Sequence, residues 1–176
     1  MKAIHSVLSL GLVFLVSLTT VGPAKQSRGT EGNSMKGFET DIEKITLENE
    51  KYRKVLYTGE HSQLVLMSLR PNEEIGMEVH EDTDQFFRFE KGQGKCIIDG
   101  NEYEVRDGSA IVVPAGARHN VVNTSQHESL KLYTIYSPPH HKDGIVRDTK
   151  EEADSNEAEF DGVTTEPKPP AATPKE

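Results

Sequence analysis

Four polar side chains stand where strand periodicity could carry them into a core, and their types suit a metal ion. His119, Val121 and Asn123 follow one another at a spacing of two, so on a strand they share one face. That places an imidazole among core residues, which a satisfied core histidine would also explain. Upstream, Glu78 and His80 share one strand face and Met77 and Val79 the other. Such a strand buries either the polar pair or the apolar pair, and most half-buried strands bury the apolar one. Gln85 points the other way, because it alternates in phase with Phe87 and Phe89. Taking both phenylalanines into a core takes the amide with them, and a buried amide needs partners. A metal shared with Glu78, His80 and His119 would supply them. Two imidazoles, one carboxylate and one amide oxygen suit a divalent transition metal such as Zn, Fe, Mn, Ni or Cu, and hold too much nitrogen for a dedicated Ca or Mg site. With one anionic ligand the ion keeps positive charge, so it would favour an anionic or oxygen-donor ligand and act as a Lewis acid or activate water. Asp82 and Asp84 are alternative carboxylates in the intervening loop, where acidic residues more often cap turns.

The elements that must position these groups are short. Apolar segments recur at 53–57, 64–69, 75–80, 85–89, 95–98, 102–105, 110–113, 120–122 and 130–136, separated by the turns TGEHS, RPNEE, EKGQG, RDGS and NTSQHES. Asp99 and Gly100 form a two-residue hairpin signal. This pattern predicts an all-β sandwich or barrel. Helix is expected only in short pieces, at 41–50 and 149–154.

The stretch 108–123, GSAIVVPAGARHNVVN, places Gly108, Pro114, Gly116, His119 and Asn123 at the spacing of the second motif of the cupin superfamily, which the chain resembles. The stretch 71–92, PNEEIGMEVHEDTDQFFRFEKG, resembles the first motif. Counting back from Gly92 puts Gln85 at the family's Glu position, His80 at its second His and Glu78 at its first, with Asn72 where its first Gly stands. The resemblance implies a jelly-roll barrel whose mouth encloses a small ligand. Cupin-type phosphomannose isomerases use the same Gln, His, Glu and His set, although Glu and Gln here occupy exchanged positions. The exchange moves the charge around the ion and weakens a transfer of mannose-6-phosphate isomerase activity to this chain.

Composition sets the outer limits. The 176 residues carry a formal net charge of −9, with eight acids against three lysines from residue 150 onward, and no basic face argues for nucleic acid. The opening residues hold Lys2 followed by an uncharged apolar run at 7–21. That run is shorter than the roughly 20 residues of a membrane-spanning helix. Residues 1–24 are therefore expected to be a signal peptide and the mature protein secreted or periplasmic, without stable membrane insertion. A polar linker is expected at 25–38, a cupin domain at 39–149, and an acidic, Pro-rich disordered tail at 150–176. Neither flank is expected to contribute to stability. Cys96, the only cysteine, can form no internal disulfide and is expected to be buried. His140 and His141 follow two prolines; solvated on an exposed loop, they do nothing, but folded over the barrel mouth one could shuttle protons. Outward Met77 and Val79 would need covering by another strand or by a second subunit, as in a homodimer.

Two functional classes stay open. One is a metalloenzyme acting on a small oxygen-rich molecule, sugar-like or an organic acid, by isomerisation or dioxygenation. The other is a non-catalytic module that binds or stores a small ligand or metal. Glu78, His80, Gln85 and His119 are expected to converge inside the barrel, with donor atoms able to sit about 2.0 to 2.2 Å from a common ion. A structure with Glu78 and His80 in bulk solvent would refute this.

Overall fold

Period-two burial dominates the chain, and two antiparallel sheets result. The computed structural model describes residues 35–168; the expected signal peptide, most of the expected linker and the last eight residues lie outside them. The elements run α1 (Ile42–Glu48), β1 (Arg53–Thr58), β2 (Gln63–Leu69), β3 (Asp84–Lys91), β4 (Gln93–Ile98), β5 (Asn101–Arg106), β6 (Ala110–Val113), β7 (His119–Asn123), β8 (Leu130–Ser137), β9 (Val146–Arg147) and α2 (Lys150–Ser155). One sheet orders its strands β6-β3-β8-β2-β1-β9, the other β5-β4-β7. The core between them holds Val65, Met67, Leu69, Phe87, Phe89, Cys96, Val121 and Leu132, all fully buried. This is the expected all-β jelly-roll barrel.

β3 shows why the site residues face inward. Gln85, Phe87 and Phe89 are buried while Phe86 and Arg88 are half-buried. Burying the two phenyl rings contributes on the order of 2 to 3 kcal/mol each, more than the cost of a partnered amide, so Gln85 follows them inside. The β4–β5 connection is the expected two-residue turn: Asp99 and Gly100 have φ of +46° and +83° and Ile98 pairs with Asn101. Gly92 closes the β3–β4 corner at φ +89°, where a Cβ would lie 2.6 Å from the Ser129 carbonyl oxygen, so only glycine fits.

The segment 75–80 departs from the expected strand. It makes one isolated bridge, Glu78 with His119, and follows another, Glu74 with Val122. Strict alternation would put Ile75 on the face of Met77 and Val79, yet Ile75 is buried while the other two are exposed. The phase changes at Gly76, whose φ is +106° and whose amide donates to the Asn120 side chain instead of a ladder carbonyl. This bulge lets the chain bury Ile75 and then Glu78 and His80.

The segment from residue 150, expected as a disordered tail, is folded as far as residue 168. Thr149 caps α2 by accepting from Glu152 N, and Ala153 is 2% exposed in the core. Beyond it Lys142 N donates to Ala158 O, Phe160 N to His140 O, and Thr165 N to Thr58 O. At the other end Phe38 stacks on Tyr57 and the amides of Lys36 and Gly37 donate to Glu166. Acidic composition misleads here because these contacts use backbone groups, which composition does not show. No helix among the described residues is long and apolar enough to cross a membrane.

Ala153→Asp places a carboxylate in the core and is expected to cost about 2 kcal/mol or more. Its melting temperature should fall by several degrees. Cutting the chain at 149 should do the same. Unchanged melting of both forms would return this segment to the status of a tail.

Candidate metal centre

The segment 75–80 and β7 are joined where the site lies. Glu78 N donates to His119 O and His119 N to Glu78 O, both at 2.9 Å, so their side chains leave one narrow antiparallel pair side by side. His80 is held by its own carbonyl, which accepts from Gly116 N at 2.8 Å. Gly116, at φ +80°, belongs to the Pro114 to Ala117 turn, closed by Ala117 N donating to Pro114 O. The loop that starts β7 therefore also fixes the strand-like segment opposite it. Gln85 enters from β3, with its amide nitrogen donating to Thr134 Oγ1 and its Oε1 turned to His119.

All four expected residues come together. His80 Nε2 and His119 Nε2 lie 3.3 and 3.4 Å from Glu78 Oε1, and Gln85 Oε1 is 2.8 Å from His119 Nε2. His119 is 1% exposed, Gln85 1% and His80 9%, with Glu78 half-buried. Neither Asp84 nor Asp82 is among them: the Asp84 carboxylate accepts from Ala115 N, and Asp82 is exposed.

The donor atoms fit a cation. His119 Nδ1 lies 3.0 Å from Ala117 O, which assigns its proton to that carbonyl and leaves Nε2 for the centre. Yet Nε2 faces two oxygen acceptors, Gln85 Oε1 and Glu78 Oε1. Glu78 Oε1 and His80 Nε2 are buried with no hydrogen-bond partner among the described residues. One proton on Nε2 satisfies one acceptor; a cation at the common point satisfies all four groups. The electrostatics agree. Burial pushes the Glu78 carboxyl up, but the His119 and His80 imidazoles more than offset this and hold it well below the usual carboxylate range. Burial pulls His119 down, while the Glu78 carboxylate and the Ala117 carbonyl raise it above its ordinary value.

Five neighbours surround this set, and sequence reasoning gave a role only to the His140 and His141 pair. His140 and His141 fold over the barrel mouth: His140 is half-buried with its ring centroid 4.1 Å from that of His80, and His141 is 1% exposed. Gln63 pins them, its Nε2 donating to His141 O at 2.6 Å and its Oε1 accepting from His141 N at 2.9 Å. Tyr136 is buried with its ring 5.7 Å from His80 and 5.5 Å from His140. Glu157 approaches from the folded C-terminal segment. The paired histidines were visible in the sequence, but nothing local marked their burial or the approach of Glu157.

Comparison with known proteins agrees with the fold. The Cupin domain family matches residues 65–136. The Bacillus subtilis protein YrkC is 45% identical over 124 residues, covering 67% of this chain, and this chain spans just 66% of that protein. A protein of Acanthamoeba polyphaga mimivirus is 43% identical over 117 residues, covering 65% of this chain and 73% of its own length. The crystal structure of BH2720 from Bacillus halodurans superposes with a TM-score of 0.67 at 42% identity, covering 69% of this chain and 96% of that one. The chain belongs to the cupin superfamily.

His141 makes metal-free stability depend on pH. Burial first, then the Arg53 charge, depress its imidazole from 6.5 to about 2. The unfolded chain therefore binds a proton that the native state refuses, so stability is complete above pH 6.5 and declines as pH falls toward 2. The slope from this group is about 1.4 kcal/mol per pH unit. Denaturant midpoints measured in chelator between pH 7.5 and 5 should fall more steeply for the wild type than for His141→Phe. Parallel lines would contradict the assignment.

Proposed function

We propose that this chain is an exported cupin metalloprotein that holds one divalent transition metal through Glu78, His80, Gln85 and His119 and acts on a small oxygen-rich molecule. The observation that carries the reading is the convergence of four donors with Glu78 Oε1 and His80 Nε2 unpartnered. Export is supported by the apolar run at 7–21. When bound, such an ion supplies Lewis acidity or an activated water.

The chain's own groups suit turnover better than storage. Burial and the neighbouring His80 keep the His140 imidazole below its ordinary range, so it stands neutral beside the centre and can accept a proton. A groove of about 480 Å³ lined by Asp82, Thr83, Pro138, His140, Glu159 and Phe160 leads to it from solvent. Tyr136 shields the inner side, its hydroxyl pushed well above its usual range by burial and so kept protonated. With two imidazoles, an amide and one carboxylate, the centre favours an anionic or oxygen-donor substrate such as a sugar-like molecule or an organic acid, with isomerase- or dioxygenase-type chemistry. The exchanged Glu78 and Gln85 leave mannose-6-phosphate isomerase activity the weaker candidate. Met77 and Val79 are 46% and 42% exposed, with no strand over them among the described residues, which supports a homodimer through that face.

Elemental analysis of the purified protein should find a transition metal. His119→Ala should abolish its stoichiometric binding and lower stability mainly in the metal-loaded form, because bound metal stabilises the native state by mass action. Equal stability losses with and without chelator would mean that His119 is a core residue only.

A further inference from the structure

We infer that the barrel mouth holds a second cation site, built from His140, His141 and Glu157. These three bring one ligand atom each within 4.8 Å of one another. None belongs to the four-donor centre, and all three lie beyond the family match at 65–136.

His141 is the observation that demands a partner. Its side chain is 2% exposed, and both ring nitrogens are buried without a hydrogen-bond partner among the described residues. A neutral imidazole always has one nitrogen that donates and one that accepts, so two orphaned nitrogens cost on the order of 1 to 3 kcal/mol each. The ring cannot turn away, because Gln63 clamps the His141 backbone on both sides and the Tyr136 ring packs against it with centroids 5.0 Å apart. Burial keeps the imidazole neutral, the form that binds metals. The groups within reach are the Glu157 carboxylate, with Oε1 4.0 Å from Nδ1, and the His140 ring, with centroids 4.8 Å apart.

Two imidazoles and a carboxylate form a ligand set for zinc and its neighbours, with an open position for water or substrate. Donors about 2.0 to 2.2 Å from such an ion lie roughly 3.4 Å apart, so these atoms need to close by about an ångström. Glu157 can supply that movement, since its side chain is 54% exposed on the segment after α2. Two charges set the affinity. The Arg53 guanidinium, with Nη1 3.6 Å from Glu157 Oε1, opposes a cation, and so does an ion at the first centre, because His80 and His140 are in ring contact. The second site therefore fills after the first. Its filling takes the His140 nitrogen that the proposed function uses as a proton acceptor, which makes the site a metal-dependent switch on that reading.

The test is a Zn²⁺ titration of the full chain by calorimetry, with metal content checked after gel filtration. The wild type should bind two ions per chain in two steps. Glu157→Gln and His140→Ala, which leave buried His141 in place, should each weaken the second step by 10-fold or more and leave the first unchanged. His119→Ala should lose the tight step and keep the one that depends on Glu157. Wild type binding a single ion, indifferent to Glu157→Gln but lost in His119→Ala, would overturn the second site and keep the first centre. A single ion kept in His119→Ala but lost in Glu157→Gln would support this site and refute the first. Two ions unaffected by Glu157→Gln and His140→Ala would overturn the proposal.

Discussion

The paired backbone hydrogen bonds between Glu78 and His119 are the constraint on which the site depends. Across a narrow antiparallel pair the two side chains leave about 5 Å apart on the same face, so a carboxylate and an imidazole are forced together whatever else surrounds them. Each of the other candidate ligands is placed around this bridge. The turn that begins β7 grips the carbonyl of His80 through Gly116, and β3 presents Gln85 because Phe87 and Phe89 must be buried. The donors are thus held by groups that have no chemistry of their own. Lone pairs buried without partners among the described residues are costly, and under the proposed function that cost would become affinity for a cation.

The bulge at Gly76 resolves a conflict inside the sequence. A regular strand through 75–80 would bury either Ile75, Met77 and Val79 or Glu78 and His80. Gly76 breaks the phase, so the barrel keeps Ile75 in its core and still turns the two candidate ligands inward. Met77 and Val79 are left outside as apolar surface. Local irregularity of this kind is common beside functional sites, where it re-aims a side chain without rebuilding the sheet.

Around the mouth, histidines and tyrosine form one contiguous cluster. His80 touches His119, Tyr136 and His140, and His140 touches His141. The C-terminal segment crosses this cluster through the bridge of His141 with Glu159 and the approach of Glu157 and Arg53. The barrel therefore carries Gln85 and His119 on β3 and β7 and Glu78 and His80 on the bridged segment 75–80, and closes its mouth with a loop and the C-terminal segment. The sheet and the bridge to it position the four candidate donors, and the loop and C-terminal segment place His140, His141 and Glu157 beside them.

Much of this was legible in the residues. The alternation of Gln85 with Phe87 and Phe89, the Asp99–Gly100 turn and the Pro114 to His119 spacing are local constraints, each set by sterics or by burial within a few residues, and the structure has all of them. The fold class and the convergence of Glu78, His80, Gln85 and His119 follow from such local rules together with the family resemblance. Tertiary structure alone decided the rest. That Ile75 and His80 could both be buried depended on Asn120, 44 residues from Gly76, accepting a strand amide. That His141 is buried depended on Gln63, 78 residues away. That residues 150–168 pack on the barrel depended on backbone pairing with 58, 140 and 142. Backbone hydrogen bonds between distant segments leave no mark on composition or periodicity, because every residue carries the same donor and acceptor. The sequence determined which groups could do chemistry, and long-range pairing decided which of them meet.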